Sequence, residues 1–315
     1  MRIYYTTDLH GSNKCWRKFL ATPSYYKADV IVIGGDITGK VIVPIIRKKR
    51  GHVEATFMGR KRKMKKEKGV ESFKQVVANA GQYPLEVTEE EYERYQSDPS
   101  KLEDVFRQLI VRRVEEWVAM ADERLAGLDV RCFVAAGNDD IFDVDDVLAR
   151  SETIEMHDGR IVEIDGFQMF GMGYANMTPW NCPRDISEEE LSDRLEEMAP
   201  HISNWDRAVL DLHAPPYDSG LDSAPELTTD MRMVLDATGQ PKMVPVGSRA
   251  VREFLLKYQP LISMHGHIHE AAGIGKLGKT TILNPGSEYA EGILRGAVID
   301  LDKEDGLINV NLVAG

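Results

Sequence analysis

Short continuous runs of apolar residues alternate along this chain with segments whose apolar residues recur at helical spacing. The clearest run covers residues 30–33 and consists entirely of valine and isoleucine. Such a run predicts a strand buried on both faces, as in a parallel sheet. Similar patterns predict strands at 1–7, 129–136, 207–212, 281–287 and 297–301, and a hairpin within 161–176. Helical spacing after residue 12, at 187–198 and after Ser248 completes an alternation that predicts an α/β fold.

The pattern changes between residues 39 and 127. Residues 40–46 and 53–58 are apolar runs on either side of Lys49-Arg50-Gly51-His52, which predicts a β-hairpin. Thr88 and Ser100 each begin a capping-box signature, and the second precedes a long amphipathic helix. We therefore predict a core domain of residues 1–38 and 128–315, with 39–127 as an inserted subdomain of a basic hairpin plus helices.

Charge is distributed unevenly along the chain. The formal net charge is −12, yet 11 of the 39 lysines and arginines lie between residues 47 and 68, against only Glu54 and Glu67. This segment has two interpretations: it binds a polyanion such as nucleic acid, or it is a solvated or self-associating protrusion. Only Phe57 is interleaved as an aromatic, and no nucleic-acid-binding motif is present, so we favour the second interpretation.

Three scattered cysteines (Cys15, Cys132 and Cys182) argue against a disulfide framework and for a reducing cytoplasm. No apolar run approaches the ~20 residues that a membrane span needs. The amino terminus enters a predicted strand at once and lacks a signal-peptide pattern. We expect a cytoplasmic protein with no membrane partner.

Polar residues of the types that bind metals follow several of the predicted strands. They are Asp8 and His10, Asp36, Asn138, His213, and the alternating histidines His265, His267 and His269. In open α/β sheets the chemistry lies just beyond the carboxyl ends of the strands, so these side chains are expected to converge. Neutral imidazole is the commonest protein ligand for first-row metals. The pattern predicts a metal site.

Taken in order, these motifs resemble the calcineurin-like metallophosphoesterases. The shared motifs are Asp-x-His (Asp8, His10), Gly-Asp (Gly35, Asp36), Gly-Asn (Gly137, Asn138), a lone histidine (His213) and Gly-His-x-His (Gly266, His267, His269). The resemblance covers residues 1–38 and 129–290 but not the insertion. His213-Ala-Pro-Pro and Asn284-Pro-Gly-Ser look like bacterial and archaeal members. The resemblance implies an αββα sandwich, in which two mixed sheets are flanked by helices.

The resemblance also implies two divalent metal ions, Mn²⁺, Fe or Zn²⁺, and a phosphoester substrate. Asp8, His10 and His269 would hold the first ion, Asn138, His213 and His267 the second, and Asp36 would bridge them. A metal-bound hydroxide would attack phosphorus in line. His265 matches no ligand position, so we expect a supporting or structural role for it.

One position departs from the family pattern. Where the family usually has a histidine that protonates the leaving oxygen, this chain has Asp139. An ionised aspartate would repel a phosphoryl group and give no proton. We take Asn138, Asp139 and Asp140 as candidate catalytic residues and expect a preference for diesters or activated phosphates, or protonation by metal-bound water. Alternatively, Asp139 points away and orients His213 or a water.

The most direct interpretation is thus a dinuclear metallophosphoesterase, and a phosphodiesterase in particular. A nuclease that uses the basic insertion, and a non-catalytic scaffold on the same fold, remain as alternatives. Because every metal-ligand position is filled, the sequence favours a catalyst over a scaffold.

Overall fold

The computed structural model describes residues 1–49 and 51–315; Arg50, in the predicted hairpin turn, lies outside the described residues. The strands are β1 (Arg2–Thr6), β2 (Val30–Gly34), β3 (Ile42–Arg47), β4 (Val53–Phe57), β5 (Arg60–Met64), β6 (Tyr83–Thr88), β7 (Arg131–Ala135), β8 (Ile154–Met156), β9 (Ile161–Ile164), β10 (Phe167–Met172), β11 (Ala175–Asn176), β12 (Asp185–Ile186), β13 (Ala208–Leu212), β14 (Ser223–Pro225), β15 (Met243–Pro245), β16 (Ile262–Met264), β17 (Gly273–Leu277), β18 (Thr280–Asn284), β19 (Arg295–Asp302) and β20 (Gly306–Ala314). The helices are α1 (Asn13–Phe19), α2 (Thr22–Tyr26), α3 (Glu67–Asn79), α4 (Glu89–Ser97), α5 (Pro99–Leu125), α6 (Asp143–Leu148), α7 (Glu188–Met198) and α8 (Arg249–Tyr258).

Two six-stranded mixed sheets form the centre of the molecule. The first has the order β20-β19-β1-β2-β7-β8, in which β1, β2, β7 and β8 run parallel and β19 is antiparallel to β1. The second has the order β17-β18-β16-β13-β10-β9, with β18, β16, β13 and β10 parallel. Both edge strands of the second sheet, β9 and β17, pair antiparallel with their neighbours, as does β20 at one edge of the first sheet.

The sheets pack face to face, and helices cover their outer faces. One buried cluster joins Ile3 and Val32 of the first sheet to Met169 and Ile262 of the second. A second cluster places α1, α5 and α6 on the outer face of the first sheet, and a third places α7 and α8 on the second. Each large apolar side chain fully buried in this way contributes about 1.5–3 kcal/mol. The expected αββα sandwich is therefore confirmed.

Residues 39–127 contain a separate four-stranded sheet of order β5-β4-β3-β6. The predicted hairpin corresponds to β3 and β4, which pair antiparallel, and α3 covers one face through Val70 and Val77. The long helix α5 behaves differently, because Val114 and Trp117 pack into the outer core, where Trp117 stacks on Trp16 at 4.6 Å between ring centroids. The domain division stays a prediction, and this packing argues for an insertion that ends before α5.

The three cysteines are free thiols. No helix within residues 1–49 and 51–315 combines the length and the apolar character needed to cross a bilayer.

Candidate metal centre

Turns at the ends of parallel strands carry the predicted ligands, and four of these ligands have strained backbones. Asp8, His10, Asp36 and His267 have φ values of 55°, 41°, 51° and 68°. Residues other than glycine rarely adopt positive φ, and such conformations persist where the surrounding structure enforces them, often at functional sites. The rest of the fold therefore holds these side chains so that they point at one another.

Two motif glycines allow the close approach of these turns. A Cβ atom on Gly137 would lie 2.2 Å from Oδ1 of Asp36, and one on Gly266 would lie 2.5 Å from Oδ2 of Asp8. Any side chain at either position would push a predicted ligand away. The glycines that precede Asn138 and His267 are thus sterically required.

The first group of donors joins Asp8, His10 and His269. The Nε2 atoms of the two histidines lie 3.0 Å apart, and Nε2 of His269 lies 3.3 Å from Oδ1 of Asp8. Nδ1 of His10 donates to the carbonyl oxygen of Thr38 at 3.1 Å. Because this bond occupies the Nδ1 proton, the neutral ring presents a lone pair at Nε2.

The second group joins Asn138, His213 and His267. Oδ1 of Asn138 lies 3.1 Å from Nε2 of His213 and 2.9 Å from Nδ1 of His267. Nδ1 of His213 donates to the carbonyl oxygen of Gly34 at 2.8 Å, and Nδ2 of Asn138 donates to Asp185 at 2.8 Å. These outer bonds fix the ring and the amide so that Nε2 of His213 and Oδ1 of Asn138 face inward.

Asp36 lies between the two groups. Its Oδ2 is 3.6 Å from Nε2 of His10, and its Oδ1 is 3.4 Å from Nε2 of His213. Asp8, His10 and His269 can converge on one point, as can Asp36, His213 and His267. The structure thus brings all seven predicted ligands together, although their role as ligands stays a prediction.

The donors fit divalent cations in both chemistry and charge. Burial lowers the pKa of His10 to about 3, which keeps its ring neutral. Burial also acts to lower the pKa of His213, but the adjacent Asp36 carboxylate outweighs it and raises that pKa to about 10. The carboxylates therefore favour positive charge at this point. A mixed set of imidazole, carboxylate and amide donors suits Mn²⁺, Fe or Zn²⁺.

Asp139 lies beside the ligands and is engaged by two partners. Its Oδ2 forms an ion pair with Nζ of Lys40, and Sγ of Cys182 donates to its Oδ1 at 2.8 Å. Burial acts to raise the pKa of Asp139, but Lys40 outweighs it and lowers that pKa to about 2. Because both side-chain oxygens face these partners, the geometry does not favour orientation of His213 by Asp139.

Asp140 and His265 have supporting contacts. The buried Asp140 carboxylate accepts hydrogen bonds from the backbone N–H groups of Ile37, Thr38 and Gly137 at 2.8–3.0 Å. This geometry favours a role in holding the turn that carries Asp36 over contact with a substrate. Nδ1 of His265 donates to the carbonyl oxygen of Leu212 at 2.7 Å, as expected of a structural residue.

Sequence reasoning missed three residues at this site. Lys40 is one of many lysines and stands at the start of a predicted strand, so no sequence feature indicated that it belongs to the site. Asp185 orients Asn138 from 47 positions away. The ring of Tyr289 packs 4.8 Å from that of His10 between centroids. The Asn284-Pro-Gly-Ser motif that precedes Tyr289 was the one available signal.

Comparison with known proteins supports the fold. No family model matches the chain. An uncharacterized protein of Methanocaldococcus jannaschii, MJ1162, is 29% identical over 130 residues, which are 41% of this chain and 52% of the relative. The match thus spans about half the length of that relative. One solved crystal structure matches 99% of this chain and 98% of its own, with a TM-score of 0.58 and 16% identity. The crystal structure of TT1561 of Thermus thermophilus matches 100% and 97%, with a TM-score of 0.55 and 13% identity. The chain shares their fold.

The first prediction concerns metal content. We expect the native protein to retain about two divalent ions per chain after loading with Mn²⁺ and dialysis. His213→Ala should retain about one or fewer, because it removes an imidazole that faces both Asn138 and Asp36. Elemental analysis by mass spectrometry measures this, with the exposed His201→Ala as the matched control. Full metal content in His213→Ala would contradict the assignment.

Proposed function

We propose that this chain is a metal-dependent phosphoesterase of the calcineurin-like family that hydrolyses phosphodiesters with the aid of two divalent ions. The observation that carries the proposal is the convergence of seven side chains from five remote segments into two donor groups that share Asp36. A scaffold without catalytic demand has no need for strained turns that bring side chains of metal-binding types together.

Each residue has a defined part in this proposal. When bound, the cation pair supplies Lewis-acid stabilisation of the phosphoryl oxygens and a nucleophilic hydroxide. Asp8, His10 and His269 hold one end of the site, and Asn138, His213 and His267 hold the other. The backbone N–H of Asp139 donates to Oδ1 of Asp36 at 3.1 Å and so fixes the carboxylate shared by the two groups.

Lys40 changes the expected effect of Asp139. An isolated aspartate would repel the anionic substrate, but its pairing with the Lys40 ammonium makes the two side chains neutral as a unit. Neither partner is suited to give a proton. Lys40 holds Asp139 ionised, and the carboxylates of Asp36 and Asp139 raise the pKa of Lys40 above its ordinary range against the effect of burial. The pair therefore supports a preference for diesters or activated phosphates.

The second prediction tests this preference. Asp139→His supplies an imidazole that can protonate a leaving oxygen, so it should raise hydrolysis of alkyl phosphate monoesters relative to diesters by about 10². Steady-state kinetics on both substrate classes measures the ratio. An unchanged ratio would show that Asp139 does not set substrate preference.

The third prediction tests the ion pair. Lys40→Met leaves Asp139 uncompensated beside an anionic substrate, so kcat/KM for a chromogenic diester should fall by about tenfold or more. The double variant Lys40→Met/Asp139→Asn removes both charges and should recover much of that loss. A double variant no better than Lys40→Met would rule out this electrostatic account.

The nuclease alternative depends on the basic segment 47–68. Within the described part of that segment, Arg47, Lys48, Lys49 and Lys63 form ion pairs with glutamates. Arg60, Lys61 and Arg62 are exposed on β5, one of the two edge strands of the four-stranded sheet. Basic residues on an edge strand keep sheets from pairing edge to edge, which favours a solvated protrusion.

The fourth prediction separates these interpretations. If the charges protect the edge, the triple variant Arg60→Gln/Lys61→Gln/Arg62→Gln should self-associate beyond the native state in sedimentation velocity. The matched control Lys101→Gln/Arg112→Gln/Arg124→Gln removes the same charge from α5. If the chain is instead a nuclease, the native protein should bind single-stranded DNA with an affinity that falls as salt is added. The slope of log affinity against log salt concentration should then be lower by about 2 in the first triple variant.

A further inference from the structure

A cavity of about 660 Å³ opens beside the donor groups and extends well beyond them. Asp36, Asn138, His267 and His269 line one end, together with the Lys40–Asp139 pair. Apolar side chains also line the cavity, among them Trp180, Met177, Met233 and Leu227. One continuous space thus joins the site for a phosphoryl group to a space for an organic group.

The charges of the cavity limit the number of phosphates that it accepts. Among the described residues that line it, Lys40 is the one basic side chain other than histidine, and it is already paired with Asp139. Glu226, which forms an ion pair with Lys242, and Glu270 also line the cavity. A second phosphate placed beyond the donor groups would meet carboxylates and no guanidinium or free ammonium group. The cavity therefore fits a substrate with one phosphoryl group.

The loop that carries Trp180 is tied rigidly to the donor groups. Asp185 accepts from Nδ2 of Asn138 at 2.8 Å and from the backbone N–H groups of Thr178 and Cys182 at 3.0 and 2.9 Å. Cys182 in turn donates to Asp139. Trp180 nevertheless remains 65% exposed. A large, exposed ring on a fixed loop that lines a cavity is a preorganised surface for stacking.

Another part of the cavity lining comes from an arm that the sequence pattern did not predict. Strands β14 and β15 pair at its base, where Gly247 donates through its backbone N–H to the buried carboxylate of Asp222 at 3.0 Å. The arm extends through bridges between Leu227 and Met233 and between Leu235 and Pro241. Met233 lines the cavity and is 59% exposed. Methionine sulfur makes favourable contacts with aromatic rings.

We propose that the substrate is an ester with a single phosphoryl group and an aromatic organic group, whose ring binds between Trp180 and Met233. This inference rests on the proposed function, because the donor groups must bind the phosphoryl end. Aromatic stacking supplies the binding energy at the other end, in proportion to the ring area covered.

Binding of phosphonates tests the inference without catalysis. Methylphosphonate, 1-naphthylphosphonate and octylphosphonate share one anionic head group, and calorimetry measures their affinity for the Mn²⁺-loaded protein. We expect the naphthyl compound to bind at least about tenfold more tightly than the methyl and the octyl compounds. Trp180→Ala and Met233→Ala should each reduce that advantage severalfold and leave methylphosphonate binding unchanged. Met231→Ala is the matched control, because Met231 lies on the same arm but does not line the cavity.

The outcomes separate the two proposals. Octylphosphonate binding as tightly as the naphthyl compound would overturn the aromatic assignment while the metal site stands. Equal affinity for all three, or an advantage that survives Trp180→Ala, would overturn the subsite and leave the proposed function intact. Failure of every phosphonate to bind would reject the proposed function and this inference with it.

Discussion

The site depends on one physical constraint: carboxylates, imidazoles and an amide oxygen are held facing each other in a buried space. A backbone carbonyl takes the Nδ1 proton of His10, so this neutral ring turns a lone pair toward the carboxylates of Asp8 and Asp36. The ring of His213 faces Asp36 as well, and this carboxylate raises its pKa. Such an arrangement is unfavourable in isolation, and a cation at its centre converts the repulsion into attraction. The strained turns at Asp8, His10 and Asp36 are consistent with this conclusion, since conformational strain persists where the surrounding fold enforces it.

Much of this arrangement could be predicted from the sequence, because it follows local rules. Buried parallel strands are recognisable as continuous β-branched runs, and their carboxyl ends meet at one edge of each sheet. The motif glycines are visible in the sequence, but only the structure shows that Gly137 and Gly266 are points of close approach. The order of the motifs then suggested the αββα architecture, which the two six-stranded sheets confirm.

What could not be predicted depends on contacts between remote residues. No local pattern distinguishes Lys40 from its neighbours, and its importance appears only when the fold places it against Asp139, 99 positions away. The arm of β14 and β15 has short strands without clear alternation, so periodicity gave no signal. The sequence shows that α5 follows the inserted strands directly, which is why the prediction includes it in the insertion. It does not show that α5 packs on Trp16 of the core. Lys40 supplies the charge balance of the site, and the arm of β14 and β15 supplies part of its apolar lining.

The central claim is that the two donor groups hold a pair of cations between them. Anomalous X-ray scattering from crystals of the Mn²⁺-loaded protein tests it most directly. The account predicts two peaks about 3.5–4 Å apart, one bounded by Asp8, His10 and His269 and the other by Asn138, His213 and His267, with Asp36 touching both. A single peak, or peaks that lie away from Asp36, would contradict it.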